Sequence, residues 1–133
     1  MEGSIMKTSR WVPLFLALCL ATVAFPGDPA GALDGRRFAV EVTDGHETLP
    51  DTLIFENGTF DSVECRQYGF GAVEYHATKK GDSWTFSAQA TSEKEGVARW
   101  EGIVDGDSIS GSMVWSKAGQ DPVRYEYEGK AGS

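Results

Sequence analysis

Val73-Glu74-Tyr75-His76-Ala77-Thr78-Lys79-Lys80-Gly81-Asp82-Ser83-Trp84-Thr85-Phe86-Ser87-Ala88 is the stretch whose reading decides the fold. Apolar residues at Val73, Tyr75 and Ala77, then at Trp84, Phe86 and Ala88, alternate with Glu74, His76 and Thr78, then with Ser83, Thr85 and Ser87. A period of two sends successive side chains to opposite faces, so each half reads as a strand with one buried face. Lys80-Gly81 is read as a two-residue hairpin loop, which pairs Ala77 with Trp84, Tyr75 with Phe86 and Val73 with Ala88. Under that pairing these apolar and polar residues separate cleanly onto two faces.

The segments on either side repeat the pattern. Asn57-Gly58 suits a type I′ turn, whose two central residues both need φ > 0. It sets Phe55 against Phe60 and Leu53 against Ser62, with Glu56, Thr59 and Asp61 facing outward beside one apolar exception, Ile54. Gly106-Asp107 as a third loop sets Val104 against Ile109, Gly102 against Gly111, Trp100 against Met113 and Ala98 against Trp115. Arg99, Glu101, Ser110 and Ser112 then point outward with Ile103 and Val114. Phe38-Ala39-Val40-Glu41-Val42 and Val123-Arg124-Tyr125-Glu126-Tyr127-Glu128 alternate likewise, and nothing after Gly35 keeps a 3.6-residue period.

These runs predict an all-β domain, an eight-stranded antiparallel up-and-down β-barrel, because closing the sheet removes its exposed edges. A two-sheet sandwich of the same strands is the alternative. The opposed Gly102 and Gly111 fit a sheet that bends sharply to close. Helix is expected only in the N-terminal segment and in a turn at 92–96.

By this register the interior holds Phe38, Phe55, Phe60, Tyr75, Trp84, Phe86, Trp100, Trp115, Tyr125 and Tyr127 among aliphatic residues. An eight-stranded barrel has room for side chains that fill it or for one small ligand. Ala77, Ala88, Ala90, Ala98, Gly102 and Gly111 subtract volume among the rings. That pattern fits either a pocket or the small–large alternation of a filled taper. Cys65-Arg66-Gln67-Tyr68-Gly69-Phe70-Gly71, between the third and fourth strands, reads as a lid whose two rings plug one barrel end or frame a ligand mouth. Cys65 is a possible reactive thiol, since Arg66 beside it would favour the thiolate, a quiet buried cysteine, or a partner in an intermolecular disulfide. A histidine base for it would have to be His46 or the outward-facing His76.

The N-terminal segment is of a different kind. Lys7 and Arg10 precede an apolar run from Trp11 to Phe25, short for a bilayer span, and Ala30 and Ala32 make an A-x-A cleavage pattern. Residues 1–32 are therefore read as a signal peptide and 33–133 as a single β-barrel domain, periplasmic or secreted, with no membrane span in the mature form. Leu18 departs from the small residue that precedes a lipid-modified cysteine, so lipid anchoring at Cys19 is disfavoured. Cys65 is then the sole mature cysteine and no intrachain disulfide forms.

The chain of 133 residues has 41% hydrophobic residues, 11% aromatics and a net charge of -8, which suits one packed domain and poorly suits nucleic acid. No metal-ligand spacing and no glycine-rich loop entering a helix is present, so no cofactor and no metal site are expected.

The block Cys65-x-x-Tyr68-Gly69-Phe70-Gly71, Lys94-Glu95-Gly96, Trp100-x-Gly102-x-Val104-x-Gly106-Asp107-x-Ile109-x-Gly111 and Trp115-x-Lys117-x-Gly119-Gln120, with Pro122 and Tyr125, resembles small exported bacterial β-barrel proteins of no assigned activity. In architecture the chain is similar to calycin-type barrels such as lipocalins and avidins, an analogy of fold that does not fix function. The resemblance implies a bacterial, exported protein and supplies no catalytic residue. The leading expectation is a non-enzymatic barrel binding a small apolar or aromatic ligand. Tyr75, Trp84, Trp100, Trp115 and Tyr125 would line its interior, with Tyr68 and Phe70 at the mouth. One alternative is a protein-binding module or enzyme inhibitor, acting on an envelope protein partner through the Tyr68–Gly71 loop of a solid barrel. A further alternative is a thiol-dependent protein using Cys65.

Overall fold

The computed structural model describes residues 31–132, a closed barrel of eight antiparallel strands in which each strand pairs with its neighbours in sequence. The strands are β1 (Arg37–Thr43), β2 (Thr48–Glu56), β3 (Thr59–Ser62), β4 (Val73–Lys80), β5 (Ser83–Ser92), β6 (Gly96–Asp105), β7 (Ser108–Ser116) and β8 (Val123–Ala131). β8 returns to β1 over Phe38↔Ala131 to Thr43↔Glu126, which closes the sheet and excludes the sandwich. The segment read as a signal peptide, with Cys19, lies outside the described residues except for Gly31 and Ala32. No helix among the described residues is long and apolar enough to cross a membrane.

Turn chemistry sets the registers. Asn57 and Gly58 both have positive φ, 54° and 75°, and the hairpin pairs Phe55 with Phe60 and Leu53 with Ser62 as expected. The β6–β7 hairpin likewise pairs Val104 with Ile109, Gly102 with Gly111, Trp100 with Met113 and Ala98 with Trp115. The β4–β5 hairpin departs from expectation by two residues. Its loop is Gly81-Asp82, with Lys80 opposite Ser83, Ala77 opposite Phe86 and Tyr75 opposite Ala88. The reason is the positive φ at the first loop position, 62° at Gly81 as at Gly106, which glycine adopts freely and Lys80 would not. A shift of two keeps every side chain on its face, so the inside stays as expected while the partners change. Trp84 faces Lys79 rather than Ala77.

The core is a chain of rings in contact. Phe55 is its hub, with centroids 5.0 Å from Tyr75, 5.0 Å from Phe86, 5.3 Å from Phe60 and 6.1 Å from Phe38, several of them edge to face. Phe60 continues to Trp100 at 5.0 Å, and Trp100 to Tyr127 at 5.4 Å. One row across four strands reads Phe86, Gly102, Gly111, Tyr127. The two outer rings lean over the two glycines. A Cβ on Gly102 would lie 2.3 Å from the Tyr127 hydroxyl and 2.8 Å from Phe86 Cε1, so the volume the glycines leave is occupied and they open no pocket there. The Tyr127 hydroxyl donates to the Glu101 carbonyl at 2.8 Å, which supplies the partner a buried phenol needs.

The only helical segment among the described residues is a 3-10 turn at Glu64–Tyr68, not at 92–96, where the chain makes a plain turn. A buried carboxylate explains its position. Asp51 accepts the Thr52 and Glu64 backbone N–H groups at 2.6 and 3.0 Å and the Ser62 hydroxyl at 2.5 Å. Ser62 Oγ in turn accepts the Cys65 N–H at 3.3 Å, so a side chain of β2 folds the exit from β3.

Candidate functional site

The two barrel ends differ. At one end, the N-terminal segment folds over the opening. Leu33 is buried, and its N–H donates to the Tyr75 hydroxyl at 2.7 Å. That hydroxyl donates to Asp34 Oδ1 at 2.9 Å, and Asp34 also accepts the Gly58 N–H at 2.9 Å. Arg36 crosses to donate to the Gly106 carbonyl at 2.5 Å and lies 5.1 Å over the Phe38 ring. Lys79 lies 5.6 Å over Trp84 at the same end. This end is sealed by the chain itself.

The other end is built from loops: the β1–β2 turn around Asp44 to Glu47, the 3-10 turn with the segment to Ala72, the β5–β6 turn at Glu93 to Glu95, and the β7–β8 connection from Lys117 to Pro122. Trp115 Nε1 donates to the Glu95 carbonyl at 2.5 Å, and Ser92 Oγ donates to the Tyr68 carbonyl at 2.8 Å, so these loops are tied together. Phe70 is buried under them, whereas Tyr68 is 53% exposed and Leu49, on the rim of β2, is 60% exposed. Between the 3-10 turn and the β5–β6 turn runs an open groove of about 620 Å³ lined by Tyr68, Gly69 and Ser92 to Glu95.

The residues expected to line one ligand chamber are thus divided. Trp115, Tyr125, Tyr68 and Phe70 belong to the loop end. Trp84 belongs to the sealed end: its partner on β6 is Val104 and that of Trp115 is Ala98, six residues away, about 20 Å of strand. Tyr75 and Trp100 are core residues, Tyr75 committed to Leu33 and Asp34. Of the two rings in the 65–71 loop, Phe70 plugs and Tyr68 presents itself to solvent.

Burial pushes the Tyr125 hydroxyl's pKa up, and the charges of Asp44, Cys65, Tyr68 and Glu47 push it the same way. Asp44 is held below the usual carboxylate range by the backbone N–H groups of Glu47 and His46. Burial also pushes the Cys65 thiol up, with Asp51, Asp61 and Glu64 adding to the effect against one hydrogen bond from Ser62. Arg66, which sequence placed beside the thiol as an activator, is held by Asp61 at 2.5 Å. His76 stands exposed on the outer face opposite Ser87, while Cys65 packs against the core, so the sheet wall lies between them. Among the described residues Cys65 is the one cysteine and is free, and no group of three potential metal-ligating side chains there could hold an ion.

Three contributors were not foreseen from sequence. Asp51 shares the inward parity of Leu53 and Phe55, and a carboxylate at such a position signals a buried hydrogen-bond hub. Leu33 and Leu49 carried no signal, because their roles depend on how the segments beside β1 and β2 cross the barrel ends. The outer sheet face also holds an open concavity of about 940 Å³, floored by the Gly102–Gly111 bend and rimmed by Glu41, Glu101, Glu126 and Glu128.

No known protein family matches this chain, and comparison with curated proteins and with solved structures found no match. The closed eight-stranded barrel is consistent with a calycin-like architecture, and the likeness stops at architecture.

Proposed function

We propose that this protein is an exported, non-enzymatic barrel that docks a partner protein through its loop end. The observation that carries the reading is the contrast between the ends. Chain segments seal one, the rings of the middle pack against one another, and the loop end leaves two large apolar side chains, Tyr68 and Leu49, in solvent, the third exposed one, Ile103, standing by itself on the outer sheet face. Exposed apolar groups on loops held by a rigid scaffold are what a binding surface needs. The Asp51–Ser62–Cys65 network and the Ser92–Tyr68 bond hold Tyr68 in place before any partner arrives, which lowers the ordering cost of association.

A second reading, a small apolar or aromatic ligand, is favoured by the half-buried Trp115 and Tyr125 on the same rim. Such a ligand would rest against the loop end rather than enter the ring cluster.

Photo-crosslinking decides between surfaces. Benzoylphenylalanine is placed at Tyr68, at Leu49 and, as a control, at the outer-face Gln89, and cells are irradiated after export. Discrete protein adducts at the first two positions and none at the third are expected. Equal adduct yield at all three, or none anywhere, overturns the reading. Quenching of tryptophan fluorescence by an aromatic panel, abolished by Trp115→Phe and unaffected by Trp84→Phe, would favour the small ligand instead.

A further inference from the structure

The two ends treat their aromatic rings in opposite ways. At the sealed end the chain supplies its own cations, Arg36 over Phe38 and Lys79 over Trp84, and Arg36, Arg37, Lys79, Lys80 and Lys130 balance five carboxylates there. At the loop end, Tyr68, Tyr125 and Trp115 have no such cation over them among the described residues. Carboxylates outnumber cations around them instead: Asp44, Glu47, Asp61, Glu64, Glu93, Glu95 and Asp121, against Arg66, Lys94, Lys117 and Arg124. Three of those four cations are already engaged, Arg66 with Asp61, Lys117 with Glu95 at 3.1 Å and Arg124 with Glu126 at 2.7 Å, and His46 is an exposed imidazole on the β1–β2 turn.

We infer that the loop end docks a cationic segment of its partner, with lysine or arginine side chains laid on Tyr68 and Tyr125 inside the ring of carboxylates. The inference rests on the proposed docking role of this end and names the chemistry of the partner. Ring faces attract cations through their quadrupole, and guanidinium groups most often occupy such positions. Surrounding carboxylates add long-range steering, which matters for a chain whose net charge is -8. The sealed end shows the same pairing already satisfied from within, and the loop end shows the acceptor half of it left open. An acidic partner would meet repulsion across the whole rim. An uncharged one would leave the carboxylates desolvated and unpaired.

The test measures fluorescence anisotropy of labelled hexa-arginine and hexa-glutamate peptides on the protein purified after export. Hexa-arginine is expected to bind saturably and to weaken as salt rises, and hexa-glutamate is expected not to bind. Asp44→Asn with Glu47→Gln should weaken hexa-arginine about fivefold, as should Tyr68→Ala. Asparagine at 44 keeps an acceptor for the His46 and Glu47 N–H groups, so the turn survives. The matching neutralisation at the sealed end, Asp82→Asn with Asp105→Asn, should change binding less than about twofold. Equal weakening by the two neutralised pairs would show attraction to net charge alone and overturn the inference, as would absence of saturable hexa-arginine binding. Adducts at Tyr68 to a partner segment lacking lysine and arginine would also overturn it, while leaving the docking end itself in place.

Discussion

Replacing Gly102 by alanine tests whether the barrel is filled, because the sign of the effect depends on the answer. The backbone at Gly102 lies outside the left-handed region, so an L-residue fits its conformation and only space is in question. A methyl group there would stand 2.3 Å from the Tyr127 hydroxyl, 2.8 Å from Phe86 Cε1 and 2.8 Å from the Ser110 carbonyl. To reach ordinary contact the hydroxyl must give by about 1 Å and the other two by about 0.6 Å. Tyr127 is pinned by its bond to Glu101, Phe86 is packed against Phe55 and Phe60, and the Ser110 carbonyl is backbone. Overpacking of this kind costs about 1–3 kcal/mol, partly offset by about 0.5–1 kcal/mol gained when alanine replaces glycine in a strand. A net loss of about 1–2 kcal/mol should lower Tm by about 5–15 °C for a domain of this size. In a hollow barrel the same change would only stabilise. Urea unfolding followed by tryptophan fluorescence, with m-values compared, measures the loss. Gly102→Ala combined with Tyr127→Phe should show a coupling energy of about 1 kcal/mol, since the nearest clash is with the hydroxyl. A Gly102→Ala variant as stable as the wild type, or more so, would refute the packed row and restore the case for a ligand inside.

Three further predictions follow from the same geometry. The Tyr75 hydroxyl is pushed up to about 12, chiefly by burial, and Tyr127 and Tyr125 are raised too, so spectrophotometric titration should show phenols that stay protonated well above pH 10 until unfolding releases them. The folded state then holds protons that the unfolded state has lost, so this contribution to stability is intact below about pH 10 and declines between about 10 and 12. A native titration indistinguishable from that in urea would contradict the buried phenols. Asp51→Ala removes the acceptor for two N–H groups and the Ser62 hydroxyl, and should cost about 2–4 kcal/mol with hydrogen exchange rising first at Glu64 and Cys65; exchange spread evenly over the barrel would rule out the hub. Cys65 should react sluggishly with a thiol reagent near neutral pH and quickly once unfolded, and fast native labelling would revive a thiol-based role.

Most of the barrel is legible because backbone chemistry at a few turns fixes register, and register with a period of two fixes faces. Asn57-Gly58 and Gly106-Asp107 each admit one pairing that satisfies both turn and faces. Lys80-Gly81-Asp82 admits two, differing by two residues with identical faces, and the recurrence of Gly-Asp at 106–107 is the clue that chooses Gly81-Asp82. The candidate site is less legible for a definite reason. Alternation says which way a side chain points but not at what height along the barrel it stands. Trp84 and Trp115 therefore looked like neighbours in one chamber when they belong to opposite ends. The roles of Gly102 and Gly111 had the same ambiguity, resolved only by the flanking Phe86 and Tyr127 that lean over them.

The division between ends also separates stability from recognition. Phe55, its ring partners, Leu33 and the Tyr75–Asp34 bonds close the core and one opening, and any change among them acts on folding. Tyr68, Leu49, Asp44 and Glu47 take little part in that core, so their replacement should leave unfolding nearly unchanged while altering association. Asp51 is the bridge between the two sets. It is buried with the core, yet what it positions is the turn that presents Tyr68. A small barrel without a disulfide among its described residues has little stability to spare, and a surface that tolerates change without disturbing the core is where new binding can be built at least cost.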